Sequence, residues 1–320
     1  MPLWILASRL STVSEVTDME NNKKTTAVPA GSVQKKYKKR SPAGEVWYRL
    51  RKNKGAIIGA AFILLLMILA MLGNVIYDYD ADIVAQNIPN RFIHPNWEHP
   101  FGTDNLGRDV FARIIYGIRA SLPVSFVAVV VALFFGMISG AVAGYFGGTL
   151  ENIIMRFMDI FQSVPTILMA IVLIAVMGTS TMSLMVAMGL TSVPTFARIT
   201  RASVLSVRNQ EFVESAKAIG CSNIEIIFEH IIPNCLSPII VQATLRMGSA
   251  IISASSLSYL GLGVPAPMPE WGAMLSAGRA FIIDHGYLTV FPGIAIMATV
   301  IAFNMMGDGL RDAMDPKLKK

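Results

Sequence analysis

Residues 121–146 read SLPVSFVAVVVALFFGMISGAVAGYF, a stretch without one charged side chain and with Gly136, Gly140 and Gly144 in its second half. A helix needs about 20 apolar residues to cross a hydrocarbon core of about 30 Å, and this stretch is long enough. Glycines recurring every four residues share one helix face, where a second helix can approach closely. The uncharged run extends from Ala120 to Leu150, and two more occupy Gly55 to Tyr77 and Ile160 to Ala197. Over the 320 residues, hydrophobic types make up 53% and charged types 15%, where a soluble domain carries about a quarter charged. Mean hydropathy is +0.54. In water such runs would leave large apolar faces uncovered. The chain reads as an all-α polytopic membrane protein.

Working outward, Gly55–Tyr77 supplies a first span and Ser121–Phe146 a second. Ile160–Ala197 is too long for a single helix at 1.5 Å per residue. Met177-Gly178-Thr179-Ser180-Thr181 marks a turn there, giving spans near 160–177 and 182–200, the latter with a kink expected at Pro194. A fifth span runs from about Pro238 to Leu262 and a sixth from about Tyr287 to Gly307. Six spans return both termini to one side. Residues 1–54 hold 12 Lys+Arg against 4 Asp+Glu, and residues 78–120 hold 4 against 6. Positive flanks stay in the cytoplasm, which puts the amino terminus inside, together with Arg156, Arg198, Arg201, Arg208, Lys217, Lys317, Lys319 and Lys320. The loop carrying Asp78, Asp80 and Asp82 falls outside.

That uneven distribution also explains the pI near 9.3: a bias confined to one tail describes topology, not a nucleic-acid face. Residues 1–42 are polar, basic and patternless, so disorder is expected there, and Met19 resembles a bacterial start more than Met1 does. Ala43–Lys54 places Val46, Trp47 and Leu50 on one face and Arg49, Arg51, Lys52 and Lys54 largely on the other. Two readings stand, an amphipathic helix in the cytoplasmic interface or an ordinary basic flank.

Several chemistries are excluded. The first apolar run starts only at Gly55, behind a polar leader, unlike a secretory signal. Cys221 and Cys235 cannot build a disulfide framework and lack zinc-site spacing. Gly102 to Asp109 has the glycine spacing of a phosphate loop but lacks its Lys and Ser/Thr. Gly261 to Ala266 mimics a dinucleotide fingerprint but carries Pro265 where a helix should open. His94, Glu98 and His99 in a proline-broken loop are weak metal candidates. Without a nucleotide site or hydrolytic constellation, the energy for any active transport must come from a partner.

The segment 201–234 between spans four and five is unusually structured for a loop. Gln210–Ile219 puts Phe212, Val213, Ala216 and Ile219 on one apolar face. Gly220 can supply the left-handed conformation that ends a helix, and Ser222-Asn223-Ile224-Glu225 fits a capping box for the next one. That second helix is expected to stop at Pro233. A compact helical projection of this kind suits a groove in another protein.

Glu214-Ser215-Ala216, Gly220 and Ile232-Pro233 resemble the EAA loop of binding-protein-dependent ABC importer permeases. Its pattern is Glu-Ala-Ala, three residues, Gly, nine residues, then Ile-x-Leu-Pro. Ser215, His230 and Ile232 depart from it. His99 to Asp109, Leu260-Gly261-Leu262-Gly263, Glu270-Trp271-Gly272, Gly307 to Asp312 and Asp315-Pro316 resemble the C-type permeases of dipeptide and oligopeptide importers. The resemblance implies the type I importer permease fold, with the EAA loop at 211–233 as coupling helices. It divides the chain into a tail over 1–42, a permease N-terminal region over 43–95 and a transmembrane domain over 96–320. It further implies a bacterial cell membrane, a homologous second permease, two cytoplasmic ATP-binding subunits holding the ATP and magnesium, and an external substrate-binding protein. This chain would carry no cofactor and no catalytic residue. A nickel or small-solute importer of the same group is the alternative cargo reading, and a self-sufficient channel or carrier the remote one.

Ser249, Ser253 and Ser256 lie on one face of span five. They hydrate a transient path, or they permit close helix packing and bond their own backbone. Arg246, in the same span, is an intramembrane functional candidate or a side chain that snorkels to the interface. Asp159 has Arg156 three residues before it as a local partner.

Overall fold

The computed structural model describes residues 42–315. The expected disorder and the alternative start fall outside that range, apart from Pro42, which opens the first helix; Lys317, Lys319 and Lys320 also lie outside it. Among the described residues ten helices carry the fold: α1 Pro42–Leu50, α2 Lys54–Ile76, α3 Val110–Phe146, α4 Gly148–Ser163, α5 Thr166–Met177, α6 Thr181–Val207, α7 Glu211–Ala218, α8 Asn223–Tyr259, α9 Trp271–Gly278 and α10 Tyr287–Met314. Five of them, α2, α3, α6, α8 and α10, are long and apolar enough to cross a membrane.

The expected third span is not one helix. Pro165 has no N–H to donate and pushes the preceding residue into the extended region. Val164 accordingly sits at φ −97° and ψ 135°, and α4 and α5 meet there at 93°. Alone, the 12 residues of α5 reach about 18 Å, short of a bilayer core. The packing of α3 on α6 shows that the pair together makes the crossing. A β-carbon on Gly189 would lie 2.6 Å from Val131, one on Gly136 2.4 Å from Phe196, one on Gly140 2.3 Å from Ala197 O, and one on Gly144 2.9 Å from Val204. The numbers rise together, so α3 and α6 run parallel and the chain must recross between them. Met158 of α4 packs on Val193 and Ala197, and Ala170 and Ile174 of α5 pack with Leu184, Ala187 and Met188. The glycine face expected from the sequence is thus the α3–α6 seam, where only hydrogen atoms fit between backbones.

Helices α2 and α10 run antiparallel. A β-carbon on Gly59 would meet Ala302 O at 2.5 Å, and one on Gly309 would meet Ala56 Cβ at 2.3 Å. At the end of this seam Asn53 Nδ2 donates to Asp312 Oδ2 over 3.2 Å. Both ends of the described chain therefore lie on one membrane face.

Two further boundaries differ from expectation. Helix α3 begins well before Ser121, because Asp109 Oδ1 caps it by accepting from Ala112 N at 2.8 Å. Pro233 does not end the second helix of the loop. A π-helical turn over Ile226–Ile231 precedes it, with Ile232 N–H reaching back to Ile227 O. The wider turn accommodates a residue that cannot donate, and α8 continues through Pro233 and Pro238 to Tyr259. Helix α6 likewise runs through Pro194 without a break.

On the opposite face, residues 78–109 fold into a tight loop. Asp104 Oδ1 accepts from Leu106 N at 2.8 Å and Arg108 N at 3.0 Å. Buried Arg113 donates to Ile83 O at 2.6 Å. His99 Nδ1 pairs with Asp109 Oδ2 at 2.7 Å, so this His serves the loop itself.

Candidate coupling corner and translocation path

The corner between α7 and α8 is specified locally. At the end of α7, Gly220 N donates to Lys217 O and Cys221 N to Ala216 O, both at 3.1 Å. This is the Schellman closure, which requires a left-handed residue, and Gly220 provides it at φ 88°. Ser222 N then donates to Glu225 Oε2 at 2.7 Å and Glu225 N to Ser222 Oγ at 3.3 Å. The capping box read from the sequence is present.

Burial sorts the expected contact residues into two groups. Val213, Ala216 and Ile232 are buried beneath the corner with Val204, Val207, Ile226, Ile227 and Ile231. Glu214, Ser215, Lys217, Gly220 and Pro233 are exposed. The apolar face expected to suit a partner's groove is corrected at Ala216, which packs into its own bundle. Ile219 does not share the apolar face of Phe212 and Val213. It is the residue after α7, at φ −82° and ψ 1°, and 81% exposed. Ile224 and Phe228, which sequence reasoning did not single out, are 70% and 52% exposed. Their signal was an apolar residue at each position where a soluble helix of this length would place a polar one. The corner is thus firmly seated and presents a mixed surface of Glu214, Ile219, Ile224 and Phe228. Tyr145 Oη donates to Asn223 Oδ1 at 2.7 Å, and Arg208 donates to Gly144 O at 2.8 Å, fixing the corner to the end of α3.

Arg198 and Arg201, expected on the same face, tie α6 to α4. Arg198 bonds Asp159 at 2.7 Å, closer than the 3.9 Å to Arg156, and Arg201 bonds Glu151. Asp159 keeps the local pair expected from the sequence and adds a tighter tertiary one.

Within the membrane, Arg246, Ser249 and Ser253 of α8 line one small cavity with Thr166 of α5 and Thr191 and Ser192 of α6. Ser256 is not part of it, and its Oγ donates to its own Ile252 O at 2.8 Å. Ser249 Oγ donates to Arg246 O at 3.0 Å. Arg246 donates to Thr195 Oγ1 at 2.9 Å, near the midpoint of α6.

A helical bundle with six crossings and a projecting corner defines a polytopic membrane protein. Residues 132–320 match the model of the binding-protein-dependent transport system inner membrane component, and residues 41–95 that of the N-terminal TM domain of oligopeptide transport permease C. The chain is 47% identical over 279 residues to the dipeptide transport system permease protein DppC of Alkalihalophilus pseudofirmus, covering 87% of this chain and 91% of that one. Haemophilus influenzae DppC is 38% identical, over 88% of this chain and 97% of its own. The glutathione transport system permease protein GsiD of Escherichia coli is 42% identical, over 88% and 92%. Among solved structures, a chain of the inward-facing MetNI methionine ABC transporter superposes with a TM-score of 0.53 at 16% identity, over 63% of this chain and 96% of that one. The chain belongs to the binding-protein-dependent transport system inner membrane components, and its fold is that of a type I ABC importer permease.

Proposed function

We propose that this chain is a permease subunit of an ATP-driven importer of dipeptides and short oligopeptides, and that the α7–α8 corner is where an ATP-binding subunit docks. A second permease would complete the path, and an external binding protein would deliver the cargo. The corner and the described chain ends face the cytoplasm in this reading, because the basic flanks lie there and the acidic loop lies opposite. Relatives named for dipeptides and for glutathione support a peptide cargo.

The observation that carries the docking reading is the division of labour within the corner. Its buried residues hold it rigidly to α3, α6 and α8, while Glu214, Ile219, Ile224 and Phe228 stand clear. A seated element with an exposed apolar and acidic tip transmits force when a partner grips it. ATP-driven closure of the ATPases would then move α8 directly, since the corner and that span are one helix.

Glu214→Lys reverses a charge on the exposed face without touching the core. In the reconstituted complex it should reduce co-purification of the ATP-binding subunits by about tenfold or more and abolish cargo-stimulated ATP hydrolysis, with the protein still in the membrane. Wild-type co-purification and coupling would remove the corner as the docking element.

A further inference from the structure

Arg246 is the feature that the docking reading leaves unused. A guanidinium has five N–H donors and no acceptor. Here one group of donors meets a neutral hydroxyl, Thr195 Oγ1 at 2.9 Å, and among the described residues no carboxylate pairs with Arg246. Two arginines of α6 are treated differently: Arg198 holds Asp159 and Arg201 holds Glu151. A cation kept within a span without an anion of its own chain is costly, and such residues face cavities and mark the paths of charged solutes.

The surroundings fit an anion that comes and goes. The cavity beside Arg246 has a volume of about 40 Å³, enough for one or two waters or a carboxylate group but not for a whole peptide. Apart from Arg246 its polar lining is hydroxyl only, from Thr166, Thr191, Ser192, Ser249 and Ser253, and the rest is apolar. Hydroxyls donate to a carboxylate and add no charge that would trap it. Ser249 is exposed on α8, so this face opens beyond the chain itself. The Oγ of Ser253, one turn further along, makes no hydrogen bond among the described residues, unlike those of Ser249 and Ser256.

We infer that Arg246 and the hydroxyls around it form a passing site for the free carboxylate of the transported solute, the C-terminal carboxylate if that solute is a peptide. The inference rests on the importer reading for its cargo, but the site's preference for anions is independent of it. Arg246 selects the charge, and Ser253 completes the contact. The cavity must widen as the rest of the solute follows.

The test uses the full complex in proteoliposomes, with Cys221 and Cys235 replaced by Ser and a single Ser253→Cys introduced. Modification rates are compared for an anionic (sulfonatoethyl) and a cationic (trimethylammonioethyl) methanethiosulfonate. The thiol should react, and adding Arg246→Gln should lower the anionic-to-cationic rate ratio about fivefold, while Arg246→Lys retains most of it. A free dipeptide should slow modification more than its C-terminal amide does. Thr195→Val removes the hydroxyl bonded to Arg246 but leaves the charge, and should keep the ratio. An unreactive thiol, an unchanged ratio in Arg246→Gln, equal protection by acid and amide, or a Thr195→Val variant that behaves like Arg246→Gln would each overturn the site. Should Arg246→Gln fail to assemble, the Arg246→Lys and Thr195→Val ratios and the dipeptide protection decide it. Peptide uptake by the wild-type complex reports on the importer reading separately.

Discussion

Two glycines with nearly the same backbone angle mark the contrast between the two faces of this protein. Gly107, in the loop on one face, sits at φ 76°, and Gly220, in the corner on the other, at φ 88°. Both close a turn that disfavours any residue with a β-carbon. Their surroundings differ completely. A β-carbon on Gly107 would lie 1.8 Å from Asn87 O, whereas nothing lies within 4 Å of one on Gly220. The first loop is folded against itself, with Thr103 Oγ1 bonded to Asn90 O and Tyr287 Oη to Thr103 O. The corner has its underside packed and its outer side empty. One conformational signal in the sequence therefore serves two purposes, closing a lock in one place and leaving a surface free in the other.

The contrast can be broken by substitution. Gly107→Ala combines a left-handed alanine with a backbone collision and should cost about 3 kcal/mol or more. Little folded protein should accumulate, and what does should melt far below wild type in detergent. Gly220→Ala pays only the conformational term, on the order of 1 kcal/mol, with a correspondingly small change in melting temperature. Equal damage from the two would mean that the corner is as enclosed as the loop. The smallest effect belongs to Ser215, which is exposed and donates to Glu211 O at 2.8 Å. Ser215→Ala removes a competitor for the helix backbone and should stabilise α7 by about 0.5 kcal/mol or less, read as slower amide exchange across Glu211–Ala218. Destabilisation there would show that the hydroxyl supports the corner.

What the sequence disclosed was whatever depends on neighbours along the chain. The capping box at Ser222, the left-handed Gly220 and the glycine face of α3 all follow from spacing, and all stand in the structure. The uncharged runs located the spans for the same reason. Missed features depend on partners distant in sequence or on choices between near-equal local options. Pro165 is a breaker visible in the sequence, but a span placed by its uncharged run alone passes over it. Pro233 reads as a stop in the sequence, because a π turn that absorbs a proline has no composition signal of its own. The burial of Ala216 and the exposure of Ile219 depend on where α7 rests against α6 and α8. No local pattern joins Arg246 to Thr195, which lies on another helix, and the small cavity exists only once α5, α6 and α8 are assembled.

The continuity of α8 has a mechanical consequence. From Asn223 to Tyr259 the helix has 37 residues and is about 55 Å long, with the exposed Ile224 at one end and the cavity-lining Ser253 toward the other. A rod of that length is a lever. Pivoting it by about 5° about its middle moves each end by about 2.5 Å in opposite directions, so a push at Ile224 and Phe228 reappears reversed beside Gly261, with no hinge needed in between. Its weakest point is the π turn at Ile226–Ile231, where hydrogen-bond geometry is least regular. In the docking proposed above, that turn would set how much of the stroke is lost to bending before it reaches the membrane.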